Sequence, residues 1–76
     1  MRNVKIRGIE FPSANEAIQH ANASGCGEVI SICGKILVVA ESEADRLARI
    51  GMEFAYLTDV EMPDGSVKTV SIPVND

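Results

Sequence analysis

The chain has 76 residues, enough for one domain near the lower size limit for folding without disulfide or metal staples. Hydrophobic residues make up 46% of it and charged residues 24%, a globular balance that excludes intrinsic disorder. A formal net charge of −4 works against nucleic acid and anionic membranes, no apolar run reaches the length of a bilayer span, and the opening MRNVKIRGIEF lacks the apolar centre of a signal peptide, so a cytoplasmic location is expected.

Val4 and Ile6 alternate with Lys5 and Arg7, the period of a half-exposed first strand. Gly8 to Pro12 reads as a turn or irregular extension that buries Ile9 or Phe11. Ser13-Ala14-Asn15-Glu16 is a capping-box pattern, and Ala14, Ala17, Ile18 and Ala21 follow at helical spacing. The stripe they form is thin enough to lie close on a sheet, and Gly25 after Ser24 is the expected helix stop.

Glu28 to Ala40, EVISICGKILVVA, is the stretch around which the chain is organised. Val29, Ile30, Ile32, Ile36, Val38 and Val39 are β-branched and favour strand over helix. Gly34 followed by Lys35 suits a type II′ turn, which predicts a β-hairpin with Cys33 opposite Ile36 and Ile30 opposite Val39. Ile30, Ile32, Leu37 and Val39 then share one face, with Val29, Ser31, Cys33, Ile36, Val38 and Ala40 on the other. Both faces are apolar, a pattern that belongs to strands covered on both sides.

A second helix is expected to open at Ser42, with Glu43 and Asp45 in its first turn and Arg46 and Arg49 in its last. Asp45 and Arg49 make an i,i+4 pair, Ala44, Leu47 and Ala48 form the buried stripe, and Gly51 ends the helix. Phe54 to Met62 alternates into a fourth strand, Pro63-Asp64-Gly65 is a turn, and Val67 to Val74 is a fifth strand that Pro73 assigns to an edge or a strand end. A type I turn with a glycine bulge sets Met62 opposite Ser66. It also lines Phe54, Tyr56 and Val60 up with Val70, Ile72 and Val74.

The element order β-α-β-β-α-β-β predicts a single small α+β domain over residues 1–76, with a mainly antiparallel sheet of four or five strands and two helices on one face. The first six elements resemble the β-α-β-β-α-β order of ferredoxin-like folds, with one extra C-terminal strand. That likeness is one of topology, and many functions share such an order.

Few residues carry chemistry. His20, Cys26 and Cys33 have the spacing H-x5-C-x6-C, which matches none of the usual zinc patterns. An extended chain from Cys26 to Cys33 separates them by roughly 23 Å, far beyond disulfide or shared-metal reach, so two independent reduced thiols are expected. Cys26 follows a helix C-terminus, where the dipole disfavours a thiolate, and Cys33 reads as a small apolar filler. His20 falls four residues after Glu16 on an exposed helix face, where a solvated ion pair is expected. Gly25-Cys26-Gly27 follows a helix instead of leading into one and so is no phosphate loop. Asp59, Glu61 and Asp64 gather at a wet hairpin tip, which suits a solubilising rim better than acid–base work or calcium.

With no convergent polar constellation, the expected function is that of a small, soluble, non-catalytic interaction module without cofactor or metal. Two helices on one face leave the other open. Val29, Cys33, Ile36 and Val38, with Ala55 and Leu57 of the fourth strand, are the candidate interface of a two-fold homodimer. The alternative is a small-molecule-binding regulatory domain, and a small enzyme is the third reading.

Overall fold

The computed structural model describes residues 5–75, and Val4 of the expected first strand lies outside them. The elements are β1 (Ile9–Phe11), α1 (Ala14–Ser24), β2 (Glu28–Ile32), β3 (Lys35–Val39), α2 (Glu41–Arg49), β4 (Phe54–Glu61) and β5 (Val67–Val74). The five strands form one sheet in the order β1-β3-β2-β4-β5, with every neighbouring pair antiparallel. The fold is therefore α+β, with two helices and a five-stranded antiparallel sheet. Among the described residues no helix is long and apolar enough to cross a membrane.

The first strand is Ile9–Phe11, inside the stretch expected to be a turn or irregular extension, and residues 5–7 of the expected strand are not in one. Residues 5–7 are held by α2 instead of by a ladder. The Arg7 backbone N–H donates to the Glu43 carboxylate at 2.8 Å, and the Lys5 carbonyl accepts from Arg46 at 2.8 Å. Gly8 then brings the chain onto β3 so closely that an added Cβ would meet the Val38 carbonyl oxygen at 2.8 Å.

α1 is bounded as its sequence dictates. The Ser13 hydroxyl accepts from the Glu16 backbone N–H at 3.3 Å, and Gly25 takes a left-handed φ of 72° to close the C-terminus. α2 begins one residue earlier than Ser42, with Ala40 at the cap position and no side-chain cap. It ends in a Schellman arrangement: Met52 N–H donates to the Leu47 carbonyl and Gly51 N–H to the Ala48 carbonyl, with Gly51 at φ 84°. The Asn75 side-chain amide adds two further bonds there, to the Ala48 and Met52 carbonyls, and so ties the end of β5 to α2.

The central hairpin turns one residue earlier than expected. Cys33 and Gly34 have φ of 51° and 76°, so the turn has the two positive φ values of type I′, and Ile32 pairs with Lys35 and Ile30 with Leu37. Moving the turn by one residue changes each partner by two, which leaves every side chain on its expected face. It does place Cys33 in the turn, exposed, so it is not an apolar filler. A left-handed conformation costs a non-glycine residue roughly 1–2 kcal/mol, and asparagine tolerates it best. Cys33→Asn should therefore raise the urea midpoint, by an amount equivalent to about 0.5–1 kcal/mol, while Cys33→Val should lower it. The reverse order would contradict the I′ turn. At the other hairpin, Met62 pairs with Ser66 through a 2.7 Å bond, and Gly65 at φ 88° forms the expected bulge.

The placement of the helices is the main departure from expectation. α2 sits on the face of Ile30, Ile32, Leu37, Val39 and Phe54, where Ala44 and Leu47 complete a buried cluster. α1 sits on the opposite face, with Ala17 and Ile18 buried against Val29 and Val38. Handedness explains this. β1 and β2 are both antiparallel to β3, so β1-α1-β2 is a crossover that steps over β3; β3-α2-β4 likewise steps over β2. Both steps run the same way across the sheet but start from strands that point in opposite directions. Two right-handed crossovers of that kind must carry their helices on opposite faces. Had β4 come to lie beside β1, the second step would have been reversed and the helices would share a face.

The expected interface is accordingly lost. Val29 and Val38 are buried under α1, Ile36 and Leu57 are half-buried around the same cluster, Ala55 is half-buried beside Ser31, and Cys33 is in the turn.

Candidate functional site

With both sheet faces covered, what remains uncovered is the far half of the β4–β5 ribbon. The two strands pair along their whole length, from Phe54–Val74 to Glu61–Val67. β2 pairs with β4 only at Ala55 and Tyr56, so the ribbon from Leu57 and Ser71 outward runs clear of the sheet. This gives the molecule its elongated shape, 46 × 25 × 21 Å. Val60, Met62 and Val67 are exposed along this stretch and Ile72 just inside it, opposite Tyr56, with Val67 64% and Ile72 52% accessible. Asp59 accepts a 2.7 Å bond from the Thr69 hydroxyl across the ribbon. At the tip the Asp64 carboxylate accepts from both the Ser66 hydroxyl and backbone N–H, which holds its pKa below the usual value. Asp59 and Asp64 thus close turns and strand pairs, in keeping with the rim expected of them.

A groove of about 510 Å³ opens where β2 stops and β4 continues. Ile18, Val29 and Leu57 line it from the α1 side of the sheet, and Tyr56, Ile72 and Asp45 from the α2 side. It therefore lies in the plane of the sheet. Among the described residues, four carboxylate residues border it, Glu28, Glu41, Asp45 and Asp59, and no basic residue does. The Tyr56 hydroxyl feels this: burial first, then the charges of Glu28, Asp45 and Glu41, push its pKa up.

Among the described residues, the one buried charge belongs to Glu43, 8% accessible in the first turn of α2. Arg46 binds its two oxygens in a fork with both bonds at 2.8 Å, and the Arg7 backbone N–H supplies a third. These bonds outweigh the burial that opposes ionisation and lower its pKa from 4.5 to about 2. A carboxylate so fully satisfied is a structural clasp and a poor proton carrier. The sequence expectation paired Asp45 with Arg49. In the structure Arg49 donates to the Asp45 backbone carbonyl, and the ion pair is Glu43–Arg46. The signal was present, since Glu43 lies four residues before Leu47 and so on the buried stripe.

His20 is exposed, with its ring 5.1 Å from that of Phe11. With Cys26 it lines a second depression, of about 610 Å³, beyond the end of α1. Both cysteines are free and exposed. Among the described residues, no three His, Cys, Asp or Glu side chains gather closely enough to hold a metal ion. The chain matches no protein-family model, no curated protein and no solved structure.

Proposed function

We propose that this protein is a non-catalytic interaction module that self-associates through β5, the outer edge of its projecting ribbon. The observation that carries this reading is the edge itself. Among the described residues β5 is an eight-residue strand with a neighbour on one side only, and Val67 and Ile72 are exposed along it. A long edge with unpaired backbone groups is a template for another strand, and a two-stranded ribbon projecting without a core is marginal in water. Lys68 and Pro73 blunt the two ends, leaving Thr69 to Ile72 between them. An edge that pairs with its own copy across a two-fold axis presents the same surface on both subunits, the commonest closed arrangement.

Light scattering at about 50 micromolar, a concentration that populates a dimer of micromolar Kd, should give twice the chain mass. Val67→Lys with Ser71→Lys changes two exposed positions and adds like charges along the paired edges. The variant should be monomeric and still melt cooperatively, with a Tm that no longer rises with protein concentration. A monomeric wild-type protein at that concentration would overturn the reading. The alternative, a small-molecule-binding regulatory domain, is supported by the 610 Å³ depression at His20 and Cys26, which exceeds the roughly 300 Å³ at which ligand pockets begin. A thermal-shift screen on the monomeric variant separates the two, because a ligand in that depression raises Tm without restoring the dimer.

A further inference from the structure

We propose that the groove beside β4 takes an extended, basic segment of a partner protein, which adds to the sheet as a strand in line with β2. This site uses the inner edge of β4 and is independent of the pairing proposed for β5.

Three observations converge on that occupant. The groove is bordered from both sides of the sheet, by Leu57 and Val29 on the α1 side and Tyr56 and Ile72 on the α2 side, so whatever fills it lies in the sheet plane. Its long wall is a strand edge without a strand neighbour. β4 runs to Glu61, but its ladder with β2 ends at Tyr56, and Leu57, Thr58 and Asp59 face the opening. An extended peptide satisfies such an edge with main-chain hydrogen bonds, the pattern of β-strand addition. Finally, among the described residues the border carries Glu28, Glu41, Asp45 and Asp59 and no cation. Glu41 and Asp45 are exposed on the α2 side, while Asp59 lies on the α1 side with Leu57. Side chains of a strand alternate between faces, so basic residues at successive positions would reach both sets of carboxylates. The apolar floor of Ile18, Val29 and Tyr56 accepts their methylene stems. The Tyr56 hydroxyl beside this floor has its pKa raised, by burial first and then by the charges of Glu28, Asp45 and Glu41.

The test is a titration of fluorescein-labelled octapeptides by anisotropy, with backbone amide shifts followed by NMR. A peptide with pairs of successive lysines separated by Thr and Val, which puts a lysine on each face, should bind the wild-type protein and shift Leu57 to Glu61. Its Glu-for-Lys counterpart should show no binding. Methylating alternate peptide nitrogens keeps the charge but removes strand donors, and should weaken binding at least about tenfold. Glu41→Gln with Asp45→Asn, both exposed and outside the core, should weaken it by a similar factor and flatten its salt dependence. Equal affinity for the methylated peptide would mean a merely electrostatic encounter and overturn the proposal. So would shifts confined to residues outside β4, or equal binding of the acidic peptide. Binding by spermine as tight as by the peptide would show a polyamine site instead, which also overturns it.

Discussion

Val38→Lys should unfold the protein. Val38 sits in the middle of β3, between Ile9 of β1 and Val29 of β2, with Ala17 and Ile18 of α1 above it. A lysine there has no partner and little route to water, and burying an unpaired charge costs several kcal/mol. At about 0.05–0.15 kcal/mol per residue a chain of this length has a stability of roughly 4–11 kcal/mol, so the substitution removes most or all of it. Circular dichroism should show no cooperative melt, and amide NMR dispersion should collapse. Val67→Lys, at the exposed edge, is the control and should keep a cooperative melt. The comparison discriminates between architectures. If both helices lay on the Ile30 face, Val38→Lys would leave a folded chain with a more polar surface. A cooperative melt for Val38→Lys near the wild-type Tm would therefore remove α1 from the Val29–Val38 face.

The second large effect is expected at Glu43, and it depends on pH. Its folded pKa of about 2 lies below the ordinary 4.5, so its ionised form stabilises the fold above about pH 4.5 and that contribution is lost as pH falls toward 2. Glu43→Gln keeps the shape and one acceptor but loses the fork with Arg46. It should lower Tm at pH 7 by roughly 5–10 °C, since a stability change of about 1 kcal/mol moves Tm by roughly 4–8 °C in so small a domain. The gap between the two proteins should close between pH 4.5 and 2. Asp64→Asn, which disturbs an exposed carboxylate held low by Ser66, should show a much smaller version of the same trend. Parallel Tm–pH curves for wild type and Glu43→Gln would show that Glu43 is not the group that titrates.

Much of the fold was legible because local chemistry and tertiary structure agree. Ser13 and Gly25 bound α1 through backbone bonds that depend on those two residues alone. Gly65 determines the register of β4 against β5, and the face assignment in β2 and β3 survives a mistaken turn because alternation is insensitive to it. The apolar pattern of β2 and β3 also announced cover on both faces. Which helix supplies which cover is not local, because the side a helix takes depends on strand order. Nothing local in Phe54 to Glu61 says whether the strand will lie beside β1 or β2, and the handedness rule converts that one unknown into the position of α2. The same unknown carried the candidate interface with it. Val29, Ile36, Val38 and Leu57 were recognised as one apolar patch, but α1 fills it. The ribbon and its groove were out of reach for a similar reason, since they exist only because β2 is five residues long and β4 eight.

The interleaving of the two crossovers also constrains the order of assembly. β1 has one neighbour, β3, and β3 is made only after α1 and β2 have been synthesised. As the chain leaves the ribosome, β1 and α1 therefore emerge with no sheet to join, and Phe11 and Ile18 wait in water. The first pairing within reach is the β2–β3 hairpin, whose turn spans only Cys33 and Gly34 and which needs no distant loop to close. Once it forms it offers an edge to each half of the chain: β1 docks on the β3 side, and β4 later docks on the β2 side. Since α1 and α2 settle on opposite faces, neither obstructs the other. β1 and β3 have their complete set of neighbours in the sheet by Val39, before β4 and β5 exist.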